Sequence, residues 1–519
     1  MTASESSAER FERWTMVAVA AIVVGWGLLS LTWPLSGDTG IFSWIADTVH
    51  RGGVPYRDAW DTKGPAAWLP SWLMQAVFGR SAWGIRVFDF AMLLAALLGI
   101  RACAIRLAVP GRGHVGVMLY ALWYASLDYW QSAQPDGWVA AWLIVACALA
   151  LRATTVSTLL AGSLVGLATM NKPFYLGFMV PMLMLVAFRP QLERRDRFVR
   201  SLLVVVGCGI TIGAVLWLIR FWGGWHAYVD AQRWTRDVYA GLGGSWSTRF
   251  PAAYVFMLQT PSGVIVPFAL FGLLYPSLAD RRLVWAFGVA FAGALAGVIL
   301  QGRFWQYHGL PLLPFLALLA DLGFSALQRD GRHVSTLQFR RVALVLALVT
   351  GALAPLQQFY RFARSRRSAE AAETYERHEF SYYGRQRGSA YAIVDSLVSV
   401  NRSTPSVMVW GMHLGPQFVY RLPPTTRAAV IRPLFDGSGT AARAAFRQEF
   451  EQFIRDRPAQ YWLLPTDSLM KAEPDLEKYD IATYASLDEF LRSNYHVSGS
   501  SGEWQILEVN ASPPRAIRR

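Results

Sequence analysis

Apolar runs of membrane-crossing or slightly shorter length alternate with brief polar breaks through the first two thirds of the chain. They lie near 14–34, 82–106, 114–130, 137–152, 157–171, 174–188, 201–220, 261–279, 283–300, 308–327 and 341–358. A spanning helix needs about 20 mostly apolar residues, so the pattern predicts about eleven spans. Two short runs flank Asn171-Lys172-Pro173 and predict a helix pair broken at that turn. From about residue 360 charged residues become frequent and no run is long enough to cross. There "VMVWG" (407–411), "YWLLP" (461–465) and "WQILEV" (504–509) predict short strands. "AARAAFRQEFEQFIRDR" and "SLDEFLRSNY" carry the three-to-four-residue apolar spacing of helices. The expected fold is a multi-pass α-helical membrane domain over 1–358 and a soluble α/β domain over 359–519, with a disordered tail "ASPPRAIRR".

Between the first two runs the pattern is different. In "GDTGIFSWIADTVHRGGVPYRDAWDTKGPAAWLPSWL" (37–73), Ile41, Trp44, Ile45, Thr48 and Val49 fall on one helical face too short to span. Gly52-Gly53 and Pro55 end that helix, and Pro65 suits the first position of a second one carrying Trp68, Leu69, Trp72 and Leu73. Both are expected to lie in the membrane interface.

Composition supports the membrane reading. The chain is 54% hydrophobic and 16% charged, against about 25% charged in soluble domains. The 22 tryptophans fit a protein anchored at two water–lipid boundaries. The net charge of +14 does not make a nucleic-acid binder, because the arginines sit in short loops rather than on one basic face. With the N-terminus inside, the expected inner loops hold Arg101, Arg106, Arg112, Arg152, the 189–200 arginines, Arg281, Arg282, Arg329, Arg332, Arg340 and Arg341. "RFARSRR" from Arg361 falls outside and runs against that rule. Arg10 and Arg13 precede the first run and no small-residue cleavage site ends it, so it reads as an uncleaved span. Cys103, Cys147 and Cys208 lie in apolar runs and have neither disulfide nor zinc spacing.

The outer loops carry the candidate chemistry. They hold Asp38, Asp58, Asp61 and Lys63, then Asp136 in "SAQPDG", Lys172 at the broken turn, and Arg303, Tyr307 and His308 in "GRFWQYHG". Taken singly, each has a structural explanation. Asp38 and Asp136 are equally helix N-caps, Asp58 and Asp61 solvated loop carboxylates, Lys63 a snorkelling side chain. Together they place carboxylates and cations on one membrane side, where ionisable groups are functional candidates. Such a set suits transfer to a hydroxyl from a phosphate leaving group. A carboxylate takes the hydroxyl proton, and Lys and Arg hold the phosphate. No P-loop, dinucleotide fingerprint, HExxH or GxSxG is present.

These segments resemble the GT-C superfamily of integral-membrane glycosyltransferases, in the bacterial branch related to protein mannosyltransferases and aminoarabinose transferases. The resemblance covers roughly 14–330. It rests on Asp38 and "GIFSWIADTVHRGGVPYRD" after the first span, and on "QPDG" opening a later one. "DTKGPAAW" is similar to the acidic-Lys-Pro-Pro segment of the aminoarabinose transferases, with Gly64 in place of the first proline. "GRFWQYHGLPLLPF" resembles the outer loop that closes the family's site. The resemblance implies inverting transfer from a polyprenyl-phosphate sugar to an acceptor hydroxyl on a glycan, lipid or protein at the outer face. It implies Asp38 as general base, Lys63 and Arg303 on phosphate, and Asp136, Lys172 and His308 in support. Family members often have a second acidic residue beside the first; here Thr39 follows Asp38, which gives no support for a divalent metal. The expected setting is a bacterial inner membrane with the C-terminal domain outside. A secondary transporter with broken helices and a ligase moving a preassembled glycan are the competing readings.

Overall fold

The computed structural model describes the chain except residues 1–6, 239–243, 260, 276–279, 330–333, 402, 412–413, 428–430, 437–439, 473–478, 502 and 511–519. The "ASPPRAIRR" tail therefore lies outside the described residues. The helices of the first two thirds are α1 (Ser7–Ser30), α2 (Gly37–His50), α3 (Leu69–Phe78), α4 (Gly84–Arg106), α5 (His114–Ala125), α6 (Pro135–Arg152), α7 (Thr155–Asn171) and α8 (Met179–Ala187). They continue as α9 (Arg194–Phe221), α10 (Trp225–Asp237), α11 (Trp246–Gln259), α12 (Val266–Leu274), α13 (Arg281–Gln301), α14 (Leu313–Arg329) and α15 (Val334–Ser365). Short 3₁₀ turns at Pro65–Ala67, Pro173–Phe178 and Gln306–Leu312 lead into α3, α8 and α14.

Among the described residues seven helices are long and apolar enough to cross a membrane. The runs expected at 114–130, 157–171, 174–188 and 261–279 form shorter apolar helices. Large apolar side chains such as Leu98, Phe198, Trp217 and Phe221 face outward, as lipid contact requires. The segments Pro135–Arg152 and Gln306–Leu327 are instead mostly enclosed by their neighbours. They form the centre of the bundle, and their N-terminal ends carry Asp136 and His308.

Helix starts follow local chemistry. Ser36 caps α2, Thr154 and Ser157 form a capping box on α7, and Asp280 caps α13. The α7–α9 contact depends on small residues, as helix pairs in lipid do. A Cβ at Gly162 would lie 1.9 Å from the Val204 carbonyl oxygen, and one at Gly207 2.0 Å from that of Leu159.

The α2 helix departs from expectation. All its residues from Gly37 to Val49 are buried, whereas an interfacial helix would leave one face to lipid or water. The C-terminal region covers it. That region comprises α16 (Ala369–Phe380), α17 (Ala390–Val400), β1 (Val407–Val409), α18 (Leu414–Val419), α19 (Ala441–Asp456), β2 (Tyr461–Pro465), α20 (Asp467–Ala472), α21 (Ala485–Asn494), β3 (Tyr495–Ser500) and β4 (Trp504–Val509). Its sheet runs β1-β2-β4-β3, with β1 parallel to β2 and the other pairs antiparallel. The packing of α18 on α2 is close enough that a Cβ at Gly40 would meet the Gly415 nitrogen at 3.0 Å. The strands at 407–409, 461–465 and 504–509 match the predicted positions. The fourth, "YHVSGS", has an exposed Val497 and carries no apolar run to announce it.

Candidate active site

Asp38 and Asp136 each occupy the second residue of a helix, α2 and α6. A carboxylate in the first turn is favoured by the partial positive charge of the helix N-terminus. Neither is the cap: Ser36 accepts from the Thr39 amide, and Gln134 stands at the head of α6 without a side-chain cap bond. Each aspartate instead meets a lysine. Lys63 Nζ donates to Asp38 Oδ1 at 2.8 Å. Lys172 Nζ donates to both Asp136 oxygens at 2.8 and 2.7 Å, and to Gln301 Oε1 at 2.5 Å. The Tyr175 hydroxyl adds a bond to Asp136 Oδ1 at 3.0 Å. Asp38 and Asp136 are nearly inaccessible, while their lysines keep 22% and 17% side-chain exposure. Lys172 immediately precedes a proline-led 3₁₀ turn, and Lys63 stands one residue further from another, with Gly64 between it and Pro65.

The two lysine turns abut. The Gly64 amide donates to the Asn171 carbonyl at 3.3 Å. A Cβ at Gly64 would stand 2.1 Å from the Met170 carbonyl oxygen and 2.8 Å from that of Asn171. That contact explains why glycine stands where the similar family segment has proline: there is no room for a side chain, and the amide is used. The Tyr56 hydroxyl donates to the Lys63 carbonyl at 2.9 Å, and burial holds that phenol protonated well above its ordinary range. From the other side Thr235 Oγ1 bonds the Thr62 carbonyl at 3.1 Å.

Asp61 is buried beside Lys63. Burial pushes its carboxyl up, and the Lys63 charge opposes the shift. His308 is buried, stacked on Trp305 at 5.6 Å and edge-on to Tyr307 at 4.6 Å. Lys172, Lys63 and Arg303 all lie within its electrostatic range. The Tyr307 amide donates to Gln131 Oε1 at 3.1 Å, which ties the loop to the segment before Asp136. The structure thus gathers Asp38, Asp61, Lys63, Asp136, Lys172, Arg303, Tyr307 and His308. Asp58 is turned elsewhere: it closes the 54–58 turn through the Val54 amide at 2.8 Å and pairs with Arg57.

Asp38 Oδ2, Asp61 Oδ2 and His308 Nδ1 are buried at this site with no hydrogen-bond partner. Buried polar atoms are nearly always satisfied, so these are positions where the polar groups of a ligand would complete the bonding. Among the described residues no group of three or more His, Cys, Asp or Glu side chains is placed to hold a metal ion.

Sequence reasoning missed several residues. The Asn171 side-chain amide is buried with neither atom bonded, and Gln301 shares Lys172. Arg86 is fully buried in α4 and donates to the Pro34 and Tyr129 carbonyls at 3.3 and 2.9 Å and to Ser132 Oγ at 2.6 Å. It thereby fixes the approaches to both Asp38 and Asp136. Asp89, one turn on, accepts from Tyr124 at 2.6 Å and Trp138 at 3.0 Å. An Arg and an Asp three residues apart inside the 82–106 apolar run were the available signal.

No family model and no curated protein matches the chain. Solved structures do match. ArnT from Cupriavidus metallidurans bound to undecaprenyl phosphate aligns at a TM-score of 0.58 and 15% identity, over 96% of this chain and 99% of that one. The apo form of the Archaeoglobus fulgidus oligosaccharyltransferase aligns at 0.53 and 12%, over 98% of this chain and 76% of that one. Both are GT-C membrane glycosyltransferases, and this chain shares their fold.

Proposed function

We propose that the chain is a glycosyltransferase that moves a sugar from a polyprenyl-phosphate donor to an acceptor hydroxyl at the outer face of a bacterial inner membrane. The observation that carries this reading is Asp38: one oxygen is held by Lys63, and the other is buried without a partner. An acceptor O–H placed there gives its proton to Asp38 Oδ2 as its oxygen attacks the anomeric carbon from the face opposite the phosphate. The anomeric C–O bond to phosphate breaks with inversion. The charge released on the phosphate draws Lys63 away from Asp38, with Arg303 and Lys172 alongside. His308 and Tyr307 close the sugar end of the site, and Asp61 stands beside Lys63.

The shared fold supports a lipid-linked donor, since ArnT binds undecaprenyl phosphate in the structure above. A transporter reading would look for its charges at the midplane between paired halves; here they gather at helix ends on one side. The eleven-span scheme then leaves the C-terminal domain on the same side as the site.

The test is Asp38→Asn in proteoliposomes containing a polyprenyl-phosphate sugar. Losing the base lowers the transfer rate about 10²–10⁴-fold while undecaprenyl phosphate still binds. Lys63→Ala shows the reverse emphasis, with weakened undecaprenyl phosphate binding. Full transfer by Asp38→Asn would remove the base assignment.

A further inference from the structure

A second, open groove of about 570 Å³ lies on the outer side, bounded by the 57–60 turn, α10 and α19. Its base is aromatic. Trp60 meets Trp234 edge-on at 5.3 Å and Phe446 at 5.0 Å. Its rim is charged but internally paired, with Arg57 on Asp58, Arg233 on Asp230 and Arg427 on Glu449. Paired rims leave little net field to draw a phosphate. They offer donors and acceptors side by side, which suits a chain of hydroxyls that both give and take hydrogen bonds. The apolar C–H faces of sugar rings suit the flat apolar faces of Trp60, Trp234 and Phe446. Trp234 lines the groove, is 7% exposed, and its indole N–H has no hydrogen-bond partner. The volume falls in the range of small-ligand sites, about 300–1,000 Å³.

The groove is joined to the catalytic segment. The Trp60 amide donates to the Arg427 carbonyl at 2.8 Å, and Trp60 immediately precedes Asp61. Opposite, α10 holds the Thr62 carbonyl through Thr235 Oγ1 and Gln232 Nε2, at 3.1 and 3.4 Å. We infer that this groove binds the acceptor, and that the acceptor is an uncharged glycan whose end passes Trp60 toward Asp38. The inference rests on the glycosyltransferase reading above.

The probes are mannotriose, maltotriose and chitotriose at millimolar concentration, with glucose 6-phosphate as the charged control, read by saturation-transfer NMR on the detergent-solubilised full chain. Ala445→Trp fills the groove from the exposed face of α19. Arg233→Gln breaks a rim pair without filling it. The expected result is saturation of at least one neutral trisaccharide, abolished by Ala445→Trp and reduced about fivefold or more by Arg233→Gln, with undecaprenyl phosphate binding unchanged in both. No saturation of any trisaccharide, equal saturation in all three proteins, or preference for glucose 6-phosphate would overturn it. Should Ala445→Trp not fold, Arg233→Gln decides alone. Failure of the wild type to bind undecaprenyl phosphate would strike the donor reading and leave the groove result standing.

Discussion

Replacing Lys172 by Met tests whether its pairing with Asp136 is structural, catalytic or both. Lys172 Nζ makes three bonds, two to Asp136 and one to Gln301. Asp136 has 2% side-chain exposure and Lys172 17%. Removing one member of a buried pair typically costs about 3–5 kcal/mol, because the remaining charge is stranded. Two features favour the lower end, about 3 kcal/mol. The lysine is partly exposed, and Tyr175 still donates to Asp136 at 3.0 Å. Asp136→Asn strands the ammonium instead. The double variant strands neither, so its loss should fall well short of the sum, leaving a coupling of about 2 kcal/mol. Reversible unfolding in mixed detergent micelles, run as a four-protein cycle, measures it. Additivity within about 0.5 kcal/mol would refute the idea that the pair acts as a unit. Undecaprenyl phosphate binding gives the second readout. If Lys172 meets phosphate, the double variant regains stability without regaining affinity.

Gly64→Ala forces a methyl group against the Met170 carbonyl oxygen; overpacking of this kind costs about 1–3 kcal/mol, and thermal unfolding together with transfer assays should show both falling. Unchanged transfer would mean that the two lysine turns do not need to touch. Burial raises the Asp61 carboxyl above its ordinary 3.8, so the folded chain holds that proton more tightly than the unfolded chain. The stability this group contributes is complete below 3.8 and is lost as pH rises through the folded value. Asp61→Asn should therefore flatten the apparent Tm from about pH 4 upward, and parallel profiles for the two proteins would contradict this. A tag placed after Arg519 should be protected from protease on the cytosolic side of inside-out-controlled vesicles; cleavage there would shift the span scheme by one.

The membrane bundle was legible because apolar length is a one-dimensional signal. The helices α1, α4, α9, α13 and α15 sit where the apolar runs predict them. The strands at 461–465 and 504–509 were visible because they are short apolar runs in polar surroundings. The polar edge strand β3 was not, since its pairing with β4 is made by backbone groups. At the site, the residue types could be read from the sequence. Pairing could not, because Lys63 reaches Asp38 across 25 residues and Lys172 reaches Asp136 across 36. The covering of α2 was equally hidden. Its amphipathic spacing looks the same whether the second surface is lipid or α18. Arg86 escaped notice because its acceptors are mostly carbonyl oxygens, which no residue pattern records.

The hold of the C-terminal region on the membrane domain limits how this chain can diverge. Gly415 sits against Gly40, the Arg427 carbonyl receives the Trp60 amide, and the Phe380 carbonyl receives the Tyr129 hydroxyl at 3.0 Å. These joints flank the segments bearing Asp38, Lys63 and Asp136. The C-terminal region is thus no interchangeable attachment. A chimera that grafted a relative's C-terminal region onto these spans would inherit mismatched joints at all three places, and its two halves must instead drift together, each change at one seam answered by a change across it.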